Sequence, residues 1–189
     1  MSFATQIFSK HFWTAERIIE VLAVISSFLY TYLYIKGNPL CWFFAFAGAA
    51  LFTYLCYVRE ILAESFLQFV YVLMAIYGYL NMDNEWQINV WSWQQHAIWI
   101  AIGTVGMFVC FFILRKLTEA KMPLEDSFTT VFSLVATWVM VNYVHENYIY
   151  WMVIDAVSIH LYWKRKLYFG SALFVVYTIM VTAGYFGWI

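Results

Sequence analysis

Seven long apolar runs, separated by short polar connections, dominate the pattern of hydrophobic and polar positions in this chain. A bilayer core of ~30 Å needs about 20 residues of helix, so most of the runs are long enough to cross it and the sixth is slightly short. Helices are expected because backbone groups in lipid must be paired internally, and the alternating pattern of a membrane β-barrel is absent. The predicted spans cover residues 18–35, 40–58, 61–80, 97–114, 127–144, 148–163 and 168–188.

Lysine and arginine are distributed unevenly over the predicted connections. If the N-terminus is cytoplasmic, nine of the ten lie on the cytoplasmic side and only Lys36 lies outside. Basic residues concentrate in cytoplasmic connections, so the pattern predicts a cytoplasmic N-terminus and an external C-terminus. The nine residues are Lys10, Arg17, Arg59, Arg115, Lys116, Lys121, Lys164, Arg165 and Lys166.

Composition indicates an integral membrane protein and excludes an ordinary soluble domain. Of 189 residues, 65% are hydrophobic and 11% are charged, whereas about 25% charged residues are usual in soluble domains. The net charge of −1 gives no basis for nucleic-acid binding. No spacing of histidine or cysteine suggests a metal site, and we expect no cofactor. His96 and His145 are expected to be exposed at outer helix ends. The cysteines lie in apolar runs and are expected to be buried small hydrophobes; they are Cys41, Cys56 and Cys110.

The first three runs and the last three resemble one another, with the fourth run between them. Similarity of composition alone is the simpler explanation, but two sets of residues repeat independently. The second copy begins four spans after the first, and an even number of crossings returns the chain to the same side, so both copies enter the membrane from that side. The pattern predicts two parallel three-helix bundles with a linking helix, an arrangement of transporters whose substrate site lies near the midplane between the repeats. The matches are Asn38 and Trp42 with Asn147 and Trp151 at a spacing of 109, and Tyr71, Gly78 and Tyr79 with Tyr177, Gly184 and Tyr185 at a spacing of 106. The predicted segments are a cytoplasmic N-terminal segment at 1–17, bundle one at 18–80, the linking helix at 97–114 and bundle two at 127–188.

One carboxylate, Asp155, lies in the middle of the sixth run. A carboxylate at bilayer depth costs roughly 2.5–3.5 kcal/mol even on the lenient insertion scale, so it usually faces a partner or a wet cavity. Trp151 lies four residues earlier and therefore shares its helix face, and Ser158 continues that face. Ligand contact, a structural bond to neighbouring helices and proton coupling are all roles that such a carboxylate can have.

Four stretches of the chain resemble the PnuC family of bacterial vitamin transporters, known for nicotinamide riboside uptake. The resemblance covers nearly the whole chain and includes the segment Trp151-Met-Val-Ile-Asp155. It implies an all-α protein of the bacterial inner membrane with seven transmembrane helices, in which a linking helix joins two three-helix bundles as in SWEET-type sugar carriers. It also implies facilitated diffusion, with a cytoplasmic kinase that traps the substrate by phosphorylation. The matching stretches are 67–79, 126–127, 146–155 and 167–188.

The resemblance leaves the vitamin open. Nicotinamide riboside carriers are associated with asparagine at the position that Asp155 occupies here, and relatives are thought to move thiamine. Both vitamins carry a permanently cationic aromatic ring. A carboxylate beside an indole suits such a ring, because the indole face adds a cation–π interaction of ~0.5–2 kcal/mol.

Further candidate residues for substrate binding lie in other runs. Gln68 offers a hydrogen-bond donor and a hydrogen-bond acceptor to an amide or ribose hydroxyl of the substrate, and Tyr71 lies one helical turn deeper in the membrane. Both residues could instead bond neighbouring helices. Trp42, which the repeat matches with Trp151, either closes the substrate pocket from the outer side or anchors its helix at the membrane interface. Asn142 follows Trp138 by four residues and shares its face, with the same ambiguity.

Three functions remain open on the sequence, two of them transporters and one an enzyme. The first is a facilitator for a cationic vitamin, which an inside-negative potential favours by ~2.3 kcal/mol per 100 mV. The second is a proton-coupled carrier in which Asp155 titrates. The third is an intramembrane enzyme, for which no Gly-x-Ser-x-Gly or His-Glu-x-x-His motif is present. A Walker-type phosphate loop is also absent, so direct ATP coupling is not expected. The expected partners are the vitamin and the lipid bilayer, and a homo-oligomer is left open.

Overall fold

Seven α-helices form the part of the chain that the computed structural model describes, which is residues 15–58, 62–82, 88–117, 122–164 and 168–188, with only the backbone at 62–64, 117 and 168–170. Within these ranges the chain is all-α, and its one β-type contact is an isolated bridge between Asn89 and Val144. Most of the predicted N-terminal segment 1–17 lies outside the described residues, as do Lys10, Arg59, Lys121, Arg165 and Lys166. The helices are α1 (Ala15–Ile35), α2 (Cys41–Val58), α3 (Leu62–Leu80), α4 (Trp93–Leu117), α5 (Pro123–Val141), α6 (Asn147–Lys164) and α7 (Tyr168–Tyr185).

Each helix occupies one predicted span, and four of the described helices are long and apolar enough to cross a membrane: α1, α2, α4 and α5. The apolar parts of α3 and α7 are shorter, and the polar residues of α6 lower its hydropathy. The predicted bounds of α5, 127–144, are wrong at both ends. The helix begins at Pro123, whose missing N–H suits a first turn, and Glu125 and Asp126 there complement the helix dipole.

The described helices belong to two compact units, α1 to α3 and α4 to α7. In the first unit α1 packs on α2 and α2 packs on α3. In the second unit α4 packs on α5, α5 on α6 and α6 on α7. The fourth helix is therefore packed against its successor within the second unit.

The turn after α1 and the turn after α5 have the same backbone geometry. Gly37 and Tyr143 both adopt left-handed conformations, with φ of 62° and 57°. Their amides donate to the carbonyl three residues earlier at 3.0 and 2.9 Å. The following amides, of Asn38 and Val144, donate to the carbonyl five residues earlier at 2.9 and 3.3 Å. This is the Schellman ending of a helix, and these two examples lie 106 residues apart; Gly187 and Trp188 form a third one after α7.

We expect Gly37→Ala to lower the thermal unfolding midpoint of the purified protein by about 2–4 °C, because a Cβ in the left-handed region costs about 1 kcal/mol. Tyr143 adopts the same geometry with a buried side chain, 8% exposed. Gly37→Asn is the matched control, since asparagine enters this region more readily. Equal midpoints for wild type and Gly37→Ala would contradict the conformational argument.

A second repeated contact ties the last helix of each three-helix segment to the helix before it. Ser65 of α3 donates to the Thr53 carbonyl of α2 at 2.9 Å. Ser171 of α7 donates to the Ile159 carbonyl of α6 at 3.1 Å. Donor and acceptor are twelve residues apart in both cases, and both serines are buried. Helices α2 and α6 also begin and end 106 residues apart.

The backbone therefore repeats at a single spacing of 106, and the predicted spacing of 109 for Trp42 with Trp151 is wrong. At a spacing of 106, Trp42 corresponds to Tyr148, and Trp151 corresponds to Ala45. Three residues amount to about 4.5 Å along a helix, so the two tryptophans lie at different depths in their repeats. The parallel orientation of the two bundles in the membrane stays a prediction.

Helix α4 exposes large apolar side chains over most of its length, as expected for a surface that contacts lipid. A groove of about 380 Å³ on this surface is lined by four residues of α4, and none of them is a predicted substrate-binding residue. They are Val109, Phe112, Ile113 and Lys116.

Candidate functional site

Helix α6 presents a row of polar side chains along one buried face. Asn147, Trp151, Asp155 and Ser158 follow one another at intervals of four, four and three residues, which keeps them on one side of the helix. Asn147, Asp155 and Ser158 are 1%, 4% and 3% exposed, and Trp151 is partly buried. The structure thus brings three predicted site residues, Trp151, Asp155 and Ser158, onto one buried face.

The Asp155 carboxylate has no counter-ion within the described residues. No basic side chain there pairs with it, and the group that interacts with it electrostatically is Tyr177 of α7. Phe174, one turn earlier on α7, contacts the Tyr177 ring. A buried carboxylate without a cation is costly, so this side chain is suited to receive a positive group from outside the chain.

Trp151 adds an unused donor to the same face. Its indole Nε1 is buried and has no hydrogen-bond partner among the described residues. Indole N–H groups usually find a partner when they are buried. The face around Asp155 therefore offers a negative charge, an aromatic surface and one free donor.

The internal repeat provides a comparison within the same chain. Helix α2 begins and ends 106 residues before α6, and Ala49, its counterpart of Asp155, is also buried, although the exposure of several neighbouring positions differs between the two helices. The positions on α2 carry no charge, so a helix of this geometry packs without one. The polar row of α6 is therefore not required by the fold. The α2 counterparts of Asn147, Trp151, Asp155 and Ser158 are Cys41, Ala45, Ala49 and Phe52.

Asn142 lies at the C-terminal end of α5, where it caps the helix. Its side-chain amide donates to the Trp138 carbonyl at 2.8 Å. Its own carbonyl accepts a hydrogen bond from the Asn89 side chain at 2.8 Å. The amide nitrogen is therefore engaged in ending the helix, and a role in substrate contact stays a prediction.

The first unit holds the other three predicted residues. Gln68 and Tyr71 lie on α3, and both are partly buried and make contacts of their own. Trp42 is 2% exposed and packs against Tyr30 and Tyr34 of α1, with ring centroids 6.3 and 6.2 Å apart. The structure shows Trp42 as a packed residue of the first unit, and its contact with substrate is untested.

Two residues of the second unit do not stand out in the sequence as site residues. Tyr177 corresponds to Tyr71 in the repeat, and because Tyr71 is a candidate for substrate binding, this correspondence is a signal for Tyr177 as well. His96 was expected to be exposed, and it is 8% exposed. Its burial depends on the indole and phenol rings of Trp91 and Tyr150, which meet only in the folded chain.

The sequence pattern of a family described as "Nicotinamide mononucleotide transporter" matches residues 17–189. A solved structure entitled "Crystal structure of the Vitamin B3 transporter PnuC" is similar over 100% of this chain and 97% of that one, with a TM-score of 0.67 and 20% identity. At this identity the likeness shows the fold. The matched family and the similar structure are transporters and not enzymes.

Proposed function

Because the chain belongs to the nicotinamide mononucleotide transporter family, we propose that it imports a cationic aromatic vitamin or vitamin precursor, nicotinamide riboside or thiamine. Import occurs by facilitated diffusion through a midplane pocket, and a cytoplasmic kinase then traps the substrate by phosphorylation. The membrane potential favours entry of a cation by ~2.3 kcal/mol per 100 mV, so no further energy source is needed.

The observation that carries this proposal is the buried Asp155 carboxylate, 4% exposed and without a basic partner among the described residues. A ligand with a fixed positive charge offsets the cost of that buried charge when it binds. A neutral vitamin leaves the cost in place. The site therefore selects for positive charge, which nicotinamide riboside and thiamine share.

Trp151 supports the same ligand class in a second way. Its ring lies one turn from the carboxylate on the same face, where it can stack on a cationic ring for ~0.5–2 kcal/mol. Its buried N–H, unpartnered among the described residues, is available to a hydroxyl or carbonyl oxygen of the ligand.

The test of the proposed function is a binding screen followed by an uptake assay. Calorimetry with the purified protein is expected to detect nicotinamide riboside or thiamine and to detect no binding of riboflavin, which is uncharged. Uptake into sealed vesicles is then expected to rise with an inside-negative potential and to continue when a pH gradient is removed. Uptake that stops without the pH gradient would instead support proton coupling through Asp155, and riboflavin binding alone would contradict charge selection.

Replacing Trp151 with phenylalanine separates the indole donor from the aromatic surface. We expect Trp151→Phe to weaken vitamin binding about 3- to 10-fold, because one hydrogen bond is lost while a ring is kept. Trp163→Phe is the matched control, since Trp163 is 63% exposed near the end of the same helix. Titration calorimetry compares the two variants, and equal affinities would remove the Trp151 donor from the site.

A further inference from the structure

A buried histidine at the start of α4 faces the turn between α5 and α6. His96 Nδ1 lies 3.0 Å from the Tyr150 hydroxyl, and His96 Nε2 lies 3.7 Å from Glu146 Oε2. Both Nε2 and Oε2 are buried, and neither has a hydrogen-bond partner among the described residues. An imidazole nitrogen and a carboxylate oxygen therefore face each other across a gap slightly longer than a hydrogen bond.

Aromatic rings shield the His96 imidazole from water, and the Glu146 side chain is 25% exposed. The Trp91 ring lies 5.8 Å from the imidazole and stacks on Trp99 at 6.4 Å, and Trp99 contacts Trp138 at 5.5 Å. Charges interact more strongly where water is excluded. A change of charge on His96 is therefore felt by Glu146 more than it would be on an open surface.

Few other ionisable groups approach the imidazole. Among the described residues, Glu146 reaches it from the turn and Tyr150 from α6. His145 turns to the other side and stacks on Tyr185 at 5.0 Å. Helix α5 carries its acidic residues in its first turn, at the opposite end from this site. Glu146 is thus the charged partner of His96.

Neutral contacts already hold the segment before α4 against the same turn. The Asn89 amide donates to the Tyr143 carbonyl at 2.8 Å, and the His145 amide donates to the Asn89 carbonyl at 3.0 Å. The pair of His96 and Glu146 lies beside these bonds and differs from them in one respect. Its strength depends on whether the imidazole is charged.

We propose that His96 and Glu146 form a proton-operated clasp that ties the start of α4 to the turn between α5 and α6 when the pH falls. The protonated imidazole carries an N–H on both nitrogens, so Nδ1 donates to the Tyr150 hydroxyl while Nε2 points its N–H toward Glu146 Oε2, and the imidazolium attracts the carboxylate. Low pH favours the imidazolium form of histidine, so the clasp closes as the pH falls and loosens as it rises. On the predicted topology this end of the second unit faces outside the cell.

Thermal unfolding of the purified protein tests the clasp. At pH ~5.5 wild type is expected to unfold about 2–4 °C above His96→Gln and Glu146→Gln, and at pH ~8 the differences should shrink. His145→Gln is the matched control in the same turn and should follow the pH dependence of wild type. The same pH dependence in wild type and Glu146→Gln would overturn the proposal.

A second measurement does not depend on the stability of any variant. The chain has four histidines, so ¹⁵N-labelled histidine gives few imidazole signals in wild type. Proximity to the Trp91 ring identifies the His96 signal. The clasp predicts that this imidazole carries protons on both nitrogens at pH ~5.5 and on one nitrogen at pH ~8. A His96 imidazole that stays neutral at the lower pH would overturn the clasp, whatever the transport assay shows.

Discussion

Replacement of Asp155 with alanine is expected to weaken binding of the cationic vitamin at least 100-fold while leaving the protein folded. Removing one partner of a buried charge pair costs about 2–5 kcal/mol, and 100-fold corresponds to about 3 kcal/mol. The carboxylate has no basic partner within the described residues, so its removal leaves no orphaned cation in the chain. Thermal stability should stay equal or rise, because an unpaired buried charge opposes folding.

The chain supplies its own control for this substitution. Ala49 of α2 occupies the position that corresponds to Asp155 in the repeat, and it is buried at 8% exposure. Alanine therefore fits a helix of this geometry. Ser158→Ala on the same face tests whether loss of any polar group suffices, and we expect a change below about 10-fold, as for one neutral hydrogen bond. Calorimetry measures the vitamin affinity of both variants, and thermal unfolding measures their stability. Unchanged affinity, or unfolding of Asp155→Ala, would contradict the assignment.

Substitution of Gly78 with alanine is expected to destabilise the first unit by about 1–3 kcal/mol, the usual cost of overpacking. A Cβ at this position would lie within 2.7 Å of three atoms of the Trp42 ring. The ring has little room to move, because Trp42 is 2% exposed and packs against Tyr30 and Tyr34. Glycine at residue 78 thus lets α3 approach the indole of α2.

A double-mutant cycle tests whether the clash with Trp42 is the cause. Trp42→Phe shortens the ring and should recover much of the stability lost in Gly78→Ala, which appears as a coupling energy between the two sites. Gly106→Ala is the control, since a Cβ there meets one methyl group of Val131 at 3.2 Å. Thermal unfolding of the four proteins of the cycle measures the coupling. Additive losses would place the cost of Gly78→Ala elsewhere.

The helices of this fold could be predicted because each apolar run ends at polar or turn residues. The backbone geometry of the turns does not follow from the pattern of apolar and polar residues. The apolar run predicts that α5 ends at residue 144, but the helix ends at Val141 and the chain turns through a left-handed Tyr143, a conformation that favours glycine. Identical residues predict a match of Trp42 with Trp151, whereas the backbone aligns Trp42 with Tyr148, so residue identity gives the wrong spacing at this position.

The site could be predicted in part for a similar reason. A carboxylate in an apolar run stands out in any sequence, and Trp151 and Ser158 follow from helical spacing. Tyr177 and the His96–Glu146 pair could not be found this way, because they depend on contacts between helices that spacing along one helix does not determine. The capping bond of Asn142 likewise depends on where α5 ends.

The most direct test of charge recognition compares two ligands that differ only in charge. Calorimetry would measure the affinity of wild type for the bound vitamin and for an analogue in which carbon replaces the charged ring nitrogen, and would repeat both titrations with Asp155→Asn. We expect wild type to prefer the cation at least 30-fold, about 2 kcal/mol, and Asp155→Asn to lose most of that preference. Equal affinity of wild type for both ligands would contradict the role of Asp155.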